Sequence, residues 1–176
     1  MTESDNKLCA YRTLVEKMFD EQSAELISNR DTQHARVLIE TMIDRAKSSL
    51  DFFCRDLNAK VYGERNLASK IVAAGLRGVK IRILSQEKPE SNLMELLLPW
   101  FPNQDKVIFR QASEGSDSAT ADYNFVIMDQ TAFRFETDRE KHVATASANN
   151  PSVAAKISRR FEEFWESQSV PAGVDV

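Results

Sequence analysis

His34 and His142 are the only imidazoles in the chain, so a zinc site built from several histidines of one subunit is excluded. His142 follows Glu140 by two residues, and the pair is a conceivable start to a carboxylate-rich metal site. The run Asp138-Arg139-Glu140-Lys141 instead has the composition of an exposed turn, and no metal is expected. Serines and threonines are plentiful, but none stands in a Gly-x-Ser-x-Gly elbow. The five glycines are too scattered to form a phosphate-cradling loop or a dinucleotide fingerprint, so no cofactor is expected. Cys9, near a polar N-terminus, and Cys54, ending an apolar run, read as two reduced thiols. Trp100 and Phe101 lie between Pro99 and Pro102, a loop pair that reads equally as a contact surface or as a plug at a sheet edge.

A length of 176 residues with 42% hydrophobic and 28% charged residues suits one globular domain. The net charge of −4 argues against a broad, nonspecific hold on nucleic acid, which rests on Lys and Arg neutralising phosphates. Arg77, Lys80 and Arg82, and the pair Arg159-Arg160, read as solvated faces. No apolar run approaches the roughly 20 residues that span a bilayer, and the first residues are too polar for a secretory signal, so a cytoplasmic location is expected.

The elements follow from periodicity. Leu8, Tyr11, Val15, Met18 and Phe19 predict an amphipathic helix over the first 20 residues. Ala35, Leu38, Ile39, Met42, Ile43 and Ala46 predict a second, capped by Asp31 or Thr32, with His34 on its surface. The short aromatic run 50–54 reads as a buried strand. A helix carrying Leu67, Ala68, Ile71, Val72 and Gly75 follows, with Gly78 as its left-handed cap, and then a strand alternating Val79, Ile81 and Ile83. Strand, helix and strand within about 35 residues form a βαβ unit, for which a parallel pair is strongly preferred. A short helix near 92–98 ends at Pro99, 107–110 is a third strand, and 112–120 reads as a loop. Residues 125–128 look like a central strand, 132–135 its antiparallel neighbour, and 143–146 another strand. Asn150 and Pro151 open the last helix, with Val153, Ile157, Phe161, Phe164 and Trp165 on its core face.

This order, the phrase Arg77-Gly78-Val79-Lys80-Ile81-Arg82-Ile83-Leu84, the strand ending in Asp129 and the closing helix from Asn150 resemble a single phospholipase D-like domain. The resemblance implies an α/β fold with a mixed, mostly parallel sheet flanked by helices, and an extra N-terminal helix. It divides the chain into a helical extension at 1–30, the domain at 31–168 and a loose tail at 169–176. Active members carry His-x-Lys-x-x-x-x-Asp, in which the histidine attacks phosphorus and the lysine holds phosphate oxygens. With Asp129 as the last residue of that motif, Asp122 takes the histidine position and Asn124 the lysine position. The family's later Gly-Ser or Gly-Thr pair corresponds to Glu136-Thr137, and Glu140 lies near a frequent acidic position.

A carboxylate at Asp122 would approach an anionic diester without the lysine that offsets charge. The resemblance thus implies a non-catalytic binding or regulatory module with an unknown protein or small-molecule partner. Single-motif members pair to complete a site, which implies a homodimer here. The alternatives are a divergent phosphodiesterase or phospholipase rebuilt around Asp122, Asp129 and His142, and a lipid-surface or nucleic-acid adaptor. The candidate ligand-binding residues Asp122, Asn124, Asp129, Glu136, Thr137 and Glu140 are expected to converge at one end of the sheet as an acidic pocket.

Overall fold

A computed structural model describes residues 3–57, 59–62, 65–88, 92–103 and 105–167; the expected tail at 169–176 lies outside them. The strands are β1 (Ile27–Asn29), β2 (Ser49–Cys54), β3 (Lys80–Ser85), β4 (Val107–Gln111), β5 (Asn124–Met128), β6 (Ala132–Asp138) and β7 (Val143–Ser147). They form one sheet in the order β1-β7-β6-β5-β2-β3-β4. The helices are α1 (Glu3–Asp20), α2 (Thr32–Arg45), α3 (Ala59–Tyr62), α4 (Arg65–Leu76), α5 (Leu93–Leu97), α6 (Asp117–Thr120) and α7 (Pro151–Glu166).

The expected βαβ unit forms, with β2 parallel to β3 and β3 parallel to β4. The sheet is mixed and flanked by helices, but it is not mostly parallel. The pairings β1–β7, β7–β6, β6–β5 and β5–β2 are all antiparallel. For β5–β6 and β6–β7 the reason lies in the connections, which are turns too short for a parallel crossover; β1–β7 and β5–β2 are long-range pairings. The residues before 31 supply more than a helix. They contribute α1, which lays Val15, Met18 and Phe19 over α2, and β1, which hydrogen-bonds to β7.

Local signals explain the helix ends. Asp31 is extended and its Oδ1 accepts the His34 N–H at 2.7 Å, capping α2. Asn150 does the same for α7 through the Val153 N–H at 3.2 Å, with Pro151 opening the helix. Gly78, at φ 95°, ends α4 in the left-handed conformation that a side chain resists. The stretch 112–120, expected as loop throughout, contains α6, because Ser116 Oγ accepts the Ala119 N–H and caps one short turn.

One sheet face carries Leu50, Phe52, Ile81, Ile83 and Val126 against α2, α4 and α5. The other carries Phe53, Leu84, Phe125 and Ile127 against Phe161, Phe164 and Trp165 of α7. Arg82, expected on a solvated face, is instead clamped between sheet and helix. Its guanidinium donates to Asp51 at 2.7 and 2.9 Å and to Glu162 at 3.0 and 2.7 Å, and lies 4.8 Å from the Phe161 ring centre. Such a bidentate pair ties α7 to the sheet with fixed geometry. His34 also departs from expectation: its ring stacks on Tyr11 at 3.9 Å and joins α1 to α2. Among the described residues no helix is long and apolar enough to cross a membrane.

Candidate functional site

The ends of β2 and β3, where their carbonyl termini emerge, coincide with the start of β5 and the end of β6. That is the edge at which open α/β sheets present ligand-binding groups. Asn124, the first residue of β5, stands directly across from Glu136 of β6. Arg134, two residues before Glu136, faces the same side, because strand side chains alternate. Their neighbours on β7 are Ala144, opposite Glu136, and Ala146, opposite Arg134. The small alanine side chains leave the space that the long arginine occupies.

These groups form one buried network. Arg134 donates to Glu136 Oε1 at 2.8 Å and to Asn29 Oδ1 at 3.0 Å, and its side chain is 2% exposed against 4% for Glu136. Asn124 Nδ2 donates to Glu136 Oε2 at 2.6 Å, while Asn124 Oδ1 accepts the Arg55 N–H at 3.1 Å. His142 Nδ1 lies 3.3 Å from Glu136 Oε1, and the Asn29 amide donates to the His142 carbonyl. Five segments meet here: β1, β5, β6, the loop after β2 and the turn before β7. The cavity among them, also lined by Cys54, Asp56 and Tyr62, has a volume of about 20 Å³. That is near the minimum needed to hold one water molecule.

Burial pushes the Cys54 thiol up to about 12 and lifts the Tyr62 phenol well above its usual range, so both are protonated near neutral pH. Neither then offers a ready anion for attack. The same end of the sheet is tied down by Gln86, which donates to the carbonyls of Ser118 and Ala121 at 2.6 and 2.7 Å and accepts from Arg139 at 2.6 Å.

The expected convergence is only partial. Asn124 and Glu136 come together as anticipated. Asp122 is exposed, two residues ahead of β5, and Thr137 and Glu140 are exposed on β6 and in the turn beyond it. Asp129 is at the opposite end of β5, where the chain turns into β6 at φ 51°. Its carboxylate accepts the backbone N–H groups of Lys47, Ser48 and Ser49 at 2.9, 2.8 and 2.9 Å, and the Ser48 hydroxyl at 2.8 Å. Burial alone would raise its pKa; the donated hydrogen bonds outweigh that and lower it.

The pocket is also not the acidic one expected. Of the anticipated carboxylates only Glu136 reaches it, and Arg134 neutralises that one; Asp56 lies 3.6 Å from Arg55. Among the described residues no group of three or more His, Cys, Asp or Glu is placed to hold a metal ion. Sequence reasoning missed Arg134, Asn29 and Gln86. The signal for Arg134 was present, since an arginine two residues from a glutamate in an otherwise apolar strand puts both on one face.

The fold resembles that of several solved structures. TrmBL2, an archaeal chromatin protein described as showing a novel mode of DNA binding, superposes with a TM-score of 0.63 at 20% identity over 95% of this chain. The chain spans 63% of that protein's length. Nuc, a phospholipase D family member from Salmonella typhimurium, gives 0.59 at 17% identity, covering 82% of this chain and 97% of Nuc. NucT from Helicobacter pylori gives 0.56 at 12% identity, covering 82% and 98%. The fold is thus phospholipase D-like. A comparison with curated proteins finds no match. A family model described as "Domain of unknown function (DUF7931)" matches residues 31–172.

Proposed function

The chain belongs to the DUF7931 family, and from that premise we propose that it is a non-catalytic phospholipase D-like module acting by binding. In this reading the crevice that cleaves diesters in relatives is closed by an internal ion network. The observation that carries the reading is the engagement of Asn124 and Glu136. Asn124, at the position where active members hold phosphate with lysine, has its amide N–H on Glu136 and its carbonyl oxygen on the Arg55 N–H. Both Glu136 oxygens are in turn committed, to Arg134 and to Asn124, around a space of about 20 Å³. A phosphodiester entering there would have to displace a buried ion pair and would meet a carboxylate. The exposed Asp122 has no ion pair among the described residues, so no cation is paired with it to offset the charge of an anionic diester.

A second reading, a divergent phosphodiesterase, has one observation in its favour. His142 reaches the same crevice from the turn before β7, beside Glu136, so a histidine with an orienting carboxylate is present on a different element. The third, a nucleic-acid adaptor, draws only on the DNA-binding neighbour and runs against the net charge of −4.

Hydrolysis of bis(4-nitrophenyl) phosphate by the purified chain, with and without Mg²⁺, Mn²⁺, Ca²⁺ or Zn²⁺, separates the first two. The binding module leaves the diester intact under every condition. Turnover that disappears in His142→Ala while the far-UV circular dichroism is unchanged would establish the enzyme reading in its place.

A further inference from the structure

Away from the crevice, a groove of about 410 Å³ runs between α4 and α5, lined by Arg65, Ala68, Ser69, Val72, Leu96 and Trp100. Its size falls in the range of small-molecule sites. Its construction begins with Gly75. A Cβ there would lie 2.6 Å from Cζ of Phe101, so the glycine is what lets that ring seat against α4. Phe101 is 4% exposed, and the seated ring fixes the Pro-bounded turn that displays its neighbour, Trp100, at 59% exposure. The two members of the aromatic pair thus differ: Phe101 is buried against α4 and Trp100 is exposed.

The walls are a tryptophan face, Leu96 and Val72, with small Ala68 and Ser69 as the floor, so an apolar body is accommodated. The charge is one-sided. Among the described residues that line the groove Arg65 carries the only formal charge, and no described carboxylate pairs with it. It also stands at the first residue of α4, a twelve-residue helix whose N-terminal end carries partial positive charge. The Ser69 hydroxyl donates to the Arg65 carbonyl at 2.9 Å, which leaves the guanidinium as the donor available to a ligand. An apolar trough with a single cation at one end complements an apolar tail with a single anion at its head.

We propose that the groove between α4 and α5 binds a small apolar carboxylic acid, its carboxylate on Arg65 and its hydrocarbon against Val72, Leu96 and Trp100. This site is independent of the crevice and of whether the crevice is catalytic. The chain has two tryptophans, and Trp165 is 5% exposed, so quenching or a blue shift on ligand addition reports Trp100.

The test is a fluorescence titration of the full chain with octanoate, in parallel with octyltrimethylammonium and with an acidic, aromatic-containing peptide. Saturable binding of octanoate is expected, at least about tenfold tighter than the ammonium analogue, the ratio one charge-assisted hydrogen bond supplies. Arg65→Gln removes that ratio. Trp100→Phe abolishes the signal while octanoate uptake by equilibrium dialysis persists. Equal binding of the two head groups, an Arg65→Gln variant that still prefers octanoate, or binding of the peptide alone would overturn the proposal, the last in favour of a protein partner.

Discussion

Glu136→Gln puts the closure of the crevice to a quantitative test. The substitution keeps the shape and removes the charge. Arg134, with its side chain 2% exposed, then loses its counter-ion and keeps Asn29 Oδ1 as its other acceptor. If the new amide turns its oxygen to Arg134, its NH₂ faces the Asn124 NH₂, donor against donor. If Asn124 flips to relieve that, it gives up the bond from the Arg55 N–H. Breaking a buried ion pair by removing one partner costs about 3–5 kcal/mol, and the retained neutral acceptor puts this case near the lower end, about 3 kcal/mol. With a urea m-value of about 2 kcal/mol/M for a domain of this size, the unfolding midpoint should fall by about 1.5 M. Equilibrium urea unfolding followed by circular dichroism measures it. The double variant Arg134→Leu with Glu136→Leu removes both charges and should be more stable than Glu136→Gln. A loss under about 0.5 kcal/mol in Glu136→Gln, the size of a surface change, would mean that the carboxylate is solvated and the crevice open.

Asp129 should behave as a structural residue. Asp129→Asn keeps an acceptor and tolerates the left-handed backbone, costing about 1–2 kcal/mol after allowance for its partial exposure. Asp129→Ala should cost about 1 kcal/mol more, because alanine resists that conformation; thermal melts rank the two. The lowered folded-state pKa means that Asp129 stabilises fully above its unfolded pKa of about 3.9, and that this is lost as pH falls through the lower folded value. Asp129→Asn should therefore flatten the acid limb of a stability-against-pH curve, whereas an unchanged limb would contradict the assignment. Gly75→Ala should displace the Phe101 ring and destabilise by about 1–3 kcal/mol, the cost of overpacking, with Trp100 emission altered in the folded state; native-like emission and stability would refute the seating argument. The pairing implied by single-motif relatives predicts a dimer by light scattering at micromolar concentration, and a strict monomer would remove it.

What was legible in the sequence follows from the range over which each signal acts. The spacings that mark α2 and α7, and the cap residues Asp31 and Asn150, are local, and the elements appear where they predict. β1 was invisible because three residues, Ile27–Asn29, carry no period, and they become a strand only by pairing with a partner more than a hundred residues away. The βαβ unit was readable from its crossover. The short turn after β5 did mark β6 as its antiparallel neighbour, but the insertion of β5 between β2 and β6, antiparallel to β2, is a long-range pairing that no local pattern encodes.

The site shows the same division, with one error that geometry alone could have corrected. Motif spacing grouped Asn124 with Asp129, yet a strand advances about 3.4 Å per residue, so five residues of extended chain separate them by about 17 Å. A motif that straddles a whole strand therefore cannot be one reaction centre. Its two ends do different work: Asn124 belongs to the crevice, and Asp129 fastens the β5–β6 turn to the start of β2. Retention of Asp129 at a family position is then no sign of retained chemistry. Its three backbone partners are demanded by the fold whether or not a diester is ever bound. The other end of the strand faces the crevice instead. There Glu136 is placed where a bound anion would be repelled, and Arg134 is buried with it, a pair that closes the space while leaving the sheet that built it intact.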